Sequence, residues 1–190
     1  MKLLLILISI VHTFFSFQSQ DGKEILDKMI VKYNLVQDYE VDATVQINVE
    51  YLKVPQSSVK IFFKQPDKFK FQSDNFAILP RESINFSPQL FLKENYTSFY
   101  IKDENYNGFP TNVIKIIPLN DKSEIVLTTL WIDKKNYFVR KVEIATKING
   151  TNTIEMEYKN NPVYPLPTQI KFTFEILKSN LARNFQNQKE

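Results

Sequence analysis

The longest regular pattern in the chain is an alternation of apolar and polar residues from Tyr39 to Tyr51. Successive side chains of a β-strand point to opposite faces, so this pattern predicts one strand with an apolar face and a polar face. At ~3.3 Å per residue the strand would be roughly 40 Å long, about twice the usual length. A strand of this kind indicates a large, curved antiparallel sheet with one solvated face.

Shorter alternating segments follow and predict about nine strands in a single domain. The clearest hairpin signal is Asn149-Gly150, because both central residues of a type I′ turn need positive φ. A broader turn is expected over Asp103 to Pro110. On the strand from Asn112 to Pro118, either Ile114 and Ile116 or Val113 and Ile117 would face inward. The apolar strand positions expected to line a hydrophobic cavity are Val41, Val45, Ile47, Val49, Ile61, Phe63, Phe69, Phe71, Ile114, Ile116, Leu130, Ile132, Val142, Ile144, Ile154, Met156, Phe172 and Phe174.

Two helices are predicted beside the sheet. The first spans Asp21 to Val36, with Asp21 and Glu24 forming a capping-box pattern. Its apolar face either packs permanently on the sheet or lies across an open sheet as part of a lid. The second, from Ser87 to Asn95, is either a satellite of the core or a movable flap. The helical residues that would form a lid are Ile25, Met29, Ile30, Tyr33, Leu90 and Phe91.

The first twenty residues have the layout of a secretory signal peptide. Lys2 supplies a positive start, an apolar run extends from Leu3 to Val11, and small or polar residues continue to Gln20. The apolar run is short for a membrane span, although an uncleaved anchor is the alternative. We therefore expect a signal peptide at 1–20, a folded domain at 21–177 and a polar tail at 178–190.

The residues left after signal removal exclude several kinds of chemistry. His12 is the only histidine and lies in the predicted signal, and the chain has no cysteine. His-dependent triads, the usual zinc sites, thiol nucleophiles and disulfides are therefore excluded. Positive and negative charges are interspersed, which argues against nucleic-acid binding. We expect no enzymatic activity, no cofactor and no metal, and a cysteine-free exported chain fits a bacterial periplasm.

Phenylalanine is unusually abundant, with 16 residues in the chain. Two interpretations stay open: an ordinary aromatic core, or a dry cavity lined by Phe, Ile, Val and Leu that accepts acyl chains. A wide sheet with few helices to cover it favours the cavity. Each buried CH₂ of a guest chain would contribute ~0.8 kcal/mol, enough for useful and reversible binding.

The order of these segments resembles that of the LolA/LolB-like lipoprotein carriers. Phe62 to Phe71 is similar to the family's Lys-Arg-Pro-Asn-x-Phe hairpin. Ile116-Ile117-Pro118, followed by Leu130 to Asp133 and Tyr137 to Val142, resembles its Leu-x-Pro … Ile-Asp … Ile segment. The hairpin at Asn149 and the strand through Phe172 continue the resemblance, which covers most of the mature chain.

The resemblance implies a mainly β (α+β) fold, with a single curved antiparallel sheet that forms an incomplete barrel. The N-terminal helix and the short helical insertion would close it. Gln65 stands where the family has a lid-latching arginine, and it can donate hydrogen bonds without a charge. Gln65 is therefore the candidate latch.

The resemblance also implies a function and partners. The protein would be a monomeric periplasmic carrier that binds acylated lipoproteins, or another lipid. It would receive them from an inner-membrane release complex and deliver them to an outer-membrane acceptor. The alternative is a lipid-sensing or regulatory envelope protein of the same fold that binds a membrane-protein partner.

Overall fold

Among the residues that it describes, a computed structural model shows one helix and eleven strands, and every strand pair there is antiparallel. It describes residues 22–46, 48–49, 52–53, 56–66, 68–73, 95–148, 150–159 and 163–174, with the backbone only at 48–49, 52–53 and 174. The elements are α1 (Gly22–Tyr33), β1 (Asp38–Val45), β2 (Asn48–Val49), β3 (Leu52–Lys53), β4 (Ser57–Lys64), β5 (Lys68–Gln72), β6 (Tyr96–Tyr106), β7 (Phe109–Pro118), β8 (Ile125–Asp133), β9 (Val139–Thr146), β10 (Thr151–Glu157) and β11 (Gln169–Phe174).

The strands form a large sheet, a small sheet and a short ribbon. Strands β6 to β11 make a six-stranded sheet in which each strand pairs with its neighbour in sequence. Strands β1, β4 and β5 make a three-stranded sheet, and β2 pairs with β3. These sheets are not closed into a barrel, so the mainly β fold with an open antiparallel architecture and an N-terminal helix is confirmed. The described strands divide among three hydrogen-bonded sheets.

Helix α1 covers one face of the six-stranded sheet. Ile25, Leu26 and Met29 are fully buried against apolar side chains of β7 to β10. Full burial of such a side chain contributes about 1.5–3 kcal/mol, so this interface holds the main core together. The helix begins in close contact with β6: a Cβ at Gly22 would lie 2.9 Å from the backbone nitrogen of Tyr100. Only glycine fits this approach without a shift of backbone.

The predicted 13-residue strand from Tyr39 to Tyr51 is wrong in its second half, because β1 ends at Val45. Val45 pairs with Ser57, whereas Asn48 pairs with Lys53. Two residues therefore separate the two ladders on the first side and three on the second. Pro55, which has no backbone N–H to donate, falls on the longer side. The alternation alone does not reveal this shift of register.

The predicted turn over Asp103 to Pro110 is also wrong. Strand β6 continues to Tyr106 and β7 begins at Phe109, so the turn consists of Asn107 and Gly108 alone. Their φ angles of 50° and 87° are both positive, as a type I′ turn requires. The hairpin expected near Gly150 is present between β9 and β10, but four residues separate those strands.

The first helix ends at Tyr33, three residues before the predicted end at Val36. The N–H groups of Leu35 and Val36 donate to carbonyls three residues back, which tightens the chain into a turn. Asp21, the predicted signal at 1–20, the predicted helix from Ser87 to Asn95 and the predicted tail at 178–190 all lie outside the described residues.

Candidate apolar binding site

The residues predicted to line a cavity fall into two groups with different surroundings. The first group lies on the six-stranded sheet under α1 and contributes to the main core. Its buried members, all at most 7 % exposed, are Ile114, Ile116, Leu130, Ile132, Val142, Ile154 and Met156. Ile144 and Phe172 are partly buried against the same core. The face of α1 fills the space beside these side chains.

The second group lies on one face of the three-stranded sheet, which we call the apolar panel. Strand alternation places every other residue of β1, β4 and β5 on this face, and the register aligns them in cross-strand rows. Most of the panel is only partly buried: Val59 is 4 % exposed, whereas Val41 at its middle is 43 % exposed. Its members are Tyr39, Val41, Ala43, Val45, Val59, Ile61, Phe63, Phe69 and Phe71.

Aromatic rings form the first row of the panel. Tyr39 and Phe63 stack with their ring centroids 5.2 Å apart, and Phe69 follows at 4.8 Å from Phe63. Phe71, in the second row, lies 6.1 Å from Phe69 with an interplanar angle of 5°. Pairs at these separations contribute ~0.5–1.5 kcal/mol each beyond burial of their area. The rings therefore hold one another in place although the panel is partly exposed.

The dimensions of the panel follow from strand geometry. Tyr39 to Val45 covers six residue steps, which corresponds to about 20 Å at ~3.3 Å per residue. Three strands spaced ~4.8 Å apart give a width of roughly 10 Å. The row nearest α1 is aromatic, and the row farthest from it contains only Val45 and Ser57. An extended acyl chain could lie along this surface parallel to the strands.

The opposite face of the three-stranded sheet is polar and charged. Lys60 on β4 forms ion pairs with Glu40 at 2.7 Å and Asp42 at 3.4 Å, both on β1. These carboxylates raise the pKa of Lys60, with the Glu40 hydrogen bond the largest cause. On the same face the Lys70 ammonium lies 5.8 Å from the ring centroid of Phe62. Glu40 and Asp42 thus belong to an exposed ion cluster.

Gln65 joins the panel's sheet to the end of α1. Its side-chain amide donates to the carbonyls of Asn34 at 2.9 Å and Val36 at 2.8 Å, and its backbone N–H donates to Gln37 at 2.9 Å. Asn34 and Val36 lie just beyond α1, and the Asn34 carbonyl also accepts a hydrogen bond from the Gln37 side-chain amide at 2.9 Å. The candidate latch therefore contacts the end of α1. Release of this contact during ligand binding stays a prediction.

The face of α1 that was predicted to form a lid packs against the six-stranded sheet. Ile25 and Met29 are fully buried, and Ile30 and Tyr33 are partly buried against the same core. The Tyr33 hydroxyl lies 3.3 Å from that of Tyr158, which donates to the Val139 carbonyl at 2.8 Å. Burial raises the pKa of both tyrosines, so both stay protonated at neutral pH. This buried polar contact fixes the C-terminal turn of the helix.

Some predicted site residues cannot be placed, and some residues of the panel were not predicted. Ile47, Leu90 and Phe91 lie outside the described residues, as do the side chains of Val49 and Phe174. Conversely, Tyr39, Ala43 and Val59 belong to the panel but not to the predicted set. Tyr39 and Ala43 lie on the apolar face of the alternating pattern from Tyr39 to Tyr51, so that pattern already indicated that they belong to this face.

Comparisons with known proteins identify the fold through structure. No protein-family model matches the chain, and no curated protein sequence matches it. Among solved structures, a LolA superfamily protein from Nitrosomonas europaea aligns with a TM-score of 0.59 and 14 % identity, covering 84 % of this chain and 87 % of that one. The chain has a LolA-like fold.

Two other solved structures agree with this LolA-like fold. A domain from Vibrio parahaemolyticus described as an outer membrane lipoprotein-sorting protein aligns with a TM-score of 0.55 and 16 % identity, over 86 % of this chain and 97 % of that one. A DUF1329 family protein from Desulfovibrio piger aligns with a TM-score of 0.56 and 16 % identity, over 81 % of this chain and 87 % of that one. The resemblance noted in the sequence is therefore confirmed at the level of fold.

The described part of the chain lacks two kinds of feature. No cluster of three or more carboxylate, histidine or cysteine side chains there could hold a metal ion. No helix there is both long enough and apolar enough to cross a membrane.

Proposed function

We propose that this protein is an exported lipid carrier whose apolar panel holds acyl chains, those of lipoproteins in the first place. The observation that most strongly supports this proposal is the contrast between two apolar sheet faces. The face under α1 is buried by the protein itself, whereas the panel keeps Val41 43 % exposed beside half-buried aromatic rings. Partly exposed apolar surface of this extent is typical of a binding site.

The energetics suit a carrier that must also release its cargo. Each CH₂ moved from water to the panel contributes ~0.8 kcal/mol when fully buried. A chain on a partly open surface gains less per CH₂, which keeps binding reversible. The proposed activity is binding and release without a chemical step.

The location and partners belong to the same proposal. The predicted signal peptide supports export to the periplasm. The lipoprotein-sorting description of the Vibrio parahaemolyticus domain supports lipoproteins as cargo. We propose that an inner-membrane complex supplies the acylated protein and that an outer-membrane acceptor receives it.

A matched pair of charge substitutions on β5 tests the panel. Phe71→Glu places a carboxylate on the panel, and Lys70→Glu places the same group on the opposite face one residue away. The purified variants would be titrated with a neutral, fluorescently labelled long-chain acyl ester. We expect saturable binding by the wild type, a loss of at least about tenfold in Phe71→Glu because a buried unpaired charge is costly, and little change in Lys70→Glu.

Two results would contradict this proposal. One is background binding by the wild-type protein; the other is an equal loss of binding in both variants. Mass spectrometry of the lipids and peptides that copurify with the protein would then identify the cargo. Capture of one envelope membrane protein without acylated peptides would favour the regulatory alternative.

A further inference from the structure

Tyr39 differs from the other members of the apolar panel because it carries a polar group. It begins the first row, where its ring stacks on Phe63 at 5.2 Å with an interplanar angle of 29°. This stacking and the backbone pairing with Phe63 fix the position of the ring. The row lies at the end of the sheet where Gln65 contacts the carbonyls that follow α1.

The Tyr39 hydroxyl has no hydrogen-bond partner among the described residues, unlike three other tyrosines of this chain. Tyr158 donates to the Val139 carbonyl at 2.8 Å, Tyr106 donates to Glu155 at 2.6 Å, and Tyr33 contacts Tyr158. The Tyr39 side chain is only partly buried, so a ligand on the panel can reach its hydroxyl. Burial also raises the pKa of Tyr39 to about 12, so the group remains a neutral donor at physiological pH.

The surroundings of this hydroxyl select the kind of group it can bind. The other members of the panel are apolar, and Ser57, which shares the last row with Val45, is polar but uncharged. A carboxylate brought onto the panel would lack a cation, and burial of an unpaired charge is costly. A neutral carbonyl oxygen would accept the tyrosine hydrogen bond without that cost. The panel therefore suits an acyl chain in ester or amide linkage better than a free fatty acid.

We propose that the Tyr39 hydroxyl donates a hydrogen bond to the carbonyl of a bound ester- or amide-linked acyl chain. The head of the acyl chain would lie at the aromatic row near α1, and the tail would extend over Val41 and Ile61 towards Val45. This inference rests on the proposed function, because it concerns the same panel. It adds a direction for the chain and a preference in head-group chemistry.

The test compares two lipids that differ only in the carbonyl: a long-chain monoacylglycerol and the monoalkyl glycerol ether of the same length. Both would displace the fluorescent acyl ester from the purified wild-type protein and from Tyr39→Phe. We expect the wild type to prefer the ester by about two- to tenfold, the net effect of one hydrogen bond. Tyr39→Phe should lose this preference while its affinity for the ether stays unchanged.

A control variant and the contrary results complete the test. Tyr96→Phe removes a phenolic hydroxyl from the core near α1, outside the panel, and should keep the wild-type ester preference. Equal affinities of the wild type for ester and ether, or a preference that persists in Tyr39→Phe, would overturn the role of Tyr39 but leave acyl binding intact. Failure of the wild type to bind either lipid would overturn both proposals.

Discussion

The two main sheets of this protein have the same sequence pattern and different surroundings. Both are antiparallel, and both present an apolar face built from alternating residues. The face of the six-stranded sheet is sealed by α1, so Ile114 and Ile132 are fully buried. The face of the three-stranded sheet leaves Val41 43 % exposed. One face therefore supplies stability, and the other supplies a surface on which a ligand can gain burial.

The largest expected effect concerns the buried ion pair at one end of the six-stranded sheet. Arg140 and Asp133 are at most 5 % exposed and lie 2.8 Å apart, and the Arg140 guanidinium stacks 3.6 Å from the Phe109 ring centroid. Asp133→Asn keeps the side-chain oxygen that accepts the Lys135 and Asn136 N–H groups but leaves Arg140 unpaired. We expect a loss of about 3–5 kcal/mol in the free energy of unfolding, measured by urea denaturation.

The exposed ion pair between Lys134 and Asp103 provides the control for this prediction. It is short, at 2.6 Å, but its side chains are 38 % and 56 % exposed. Asp103→Asn should therefore cost no more than about 1 kcal/mol. If the two substitutions had similar effects, the end of the six-stranded sheet would not be the sealed region that its burial indicates.

A pair of identical substitutions compares the two apolar faces directly. Ile114→Ala creates a cavity in the main core and should reduce the free energy of unfolding by about 2–5 kcal/mol. Ile61→Ala on the panel should cost less than about half of that, because Ile61 is only partly buried. Ile61→Ala should reduce the affinity for the acyl ester more than Ile114→Ala does. Urea denaturation and probe titration of both variants test this, and equal stability losses would remove the distinction between the faces.

Much of this architecture could be predicted from local patterns. Alternation located most strands and their apolar faces, and helical spacing located α1. Alternation alone could not show which apolar face would be covered, because Ile61 and Ile114 occupy equivalent positions in similar strands. That difference arises from where α1 docks, which depends on contacts such as Gly22 against β6. The Asn107-Gly108 turn, in contrast, carried a local signal that the broader turn prediction overlooked.

The contact between Gln65 and the end of α1 tests how the two regions are joined. Gln65→Ala removes two hydrogen bonds to the Asn34 and Val36 carbonyls. We expect a loss of about 1–3 kcal/mol in the free energy of unfolding. Gln65→Arg should recover part of it, since a cation near a helix C-terminus is favourable. A Gln65→Ala variant with unchanged stability and unchanged probe affinity would show that this contact holds neither α1 nor the panel in place.

The smallest expected effect is a dependence on pH at the outer face of the six-stranded sheet. Lys171 and Tyr106 donate to Glu155 at 2.8 and 2.6 Å and hold its pKa below the usual value, with Lys171 the larger cause. A carboxyl group whose pKa is lowered by folding contributes stability above its unfolded pKa of about 4.3 and loses it as the pH falls through the folded value. Because Lys171 is 65 % exposed, this contribution should be below about 1 kcal/mol and should weaken in salt.

Glu155→Gln isolates this contribution, because it keeps the shape of the side chain and removes its charge. Urea denaturation between pH 3 and pH 7 should show a smaller acid-induced loss of stability in Glu155→Gln than in the wild type. The panel contains no carboxylate, so acyl-ester affinity should not change with the protonation of Glu155. An acid-induced fall in ester affinity that disappears in Glu155→Gln would mean that the two sheets are coupled, and the division between a stabilising face and a binding face would no longer hold.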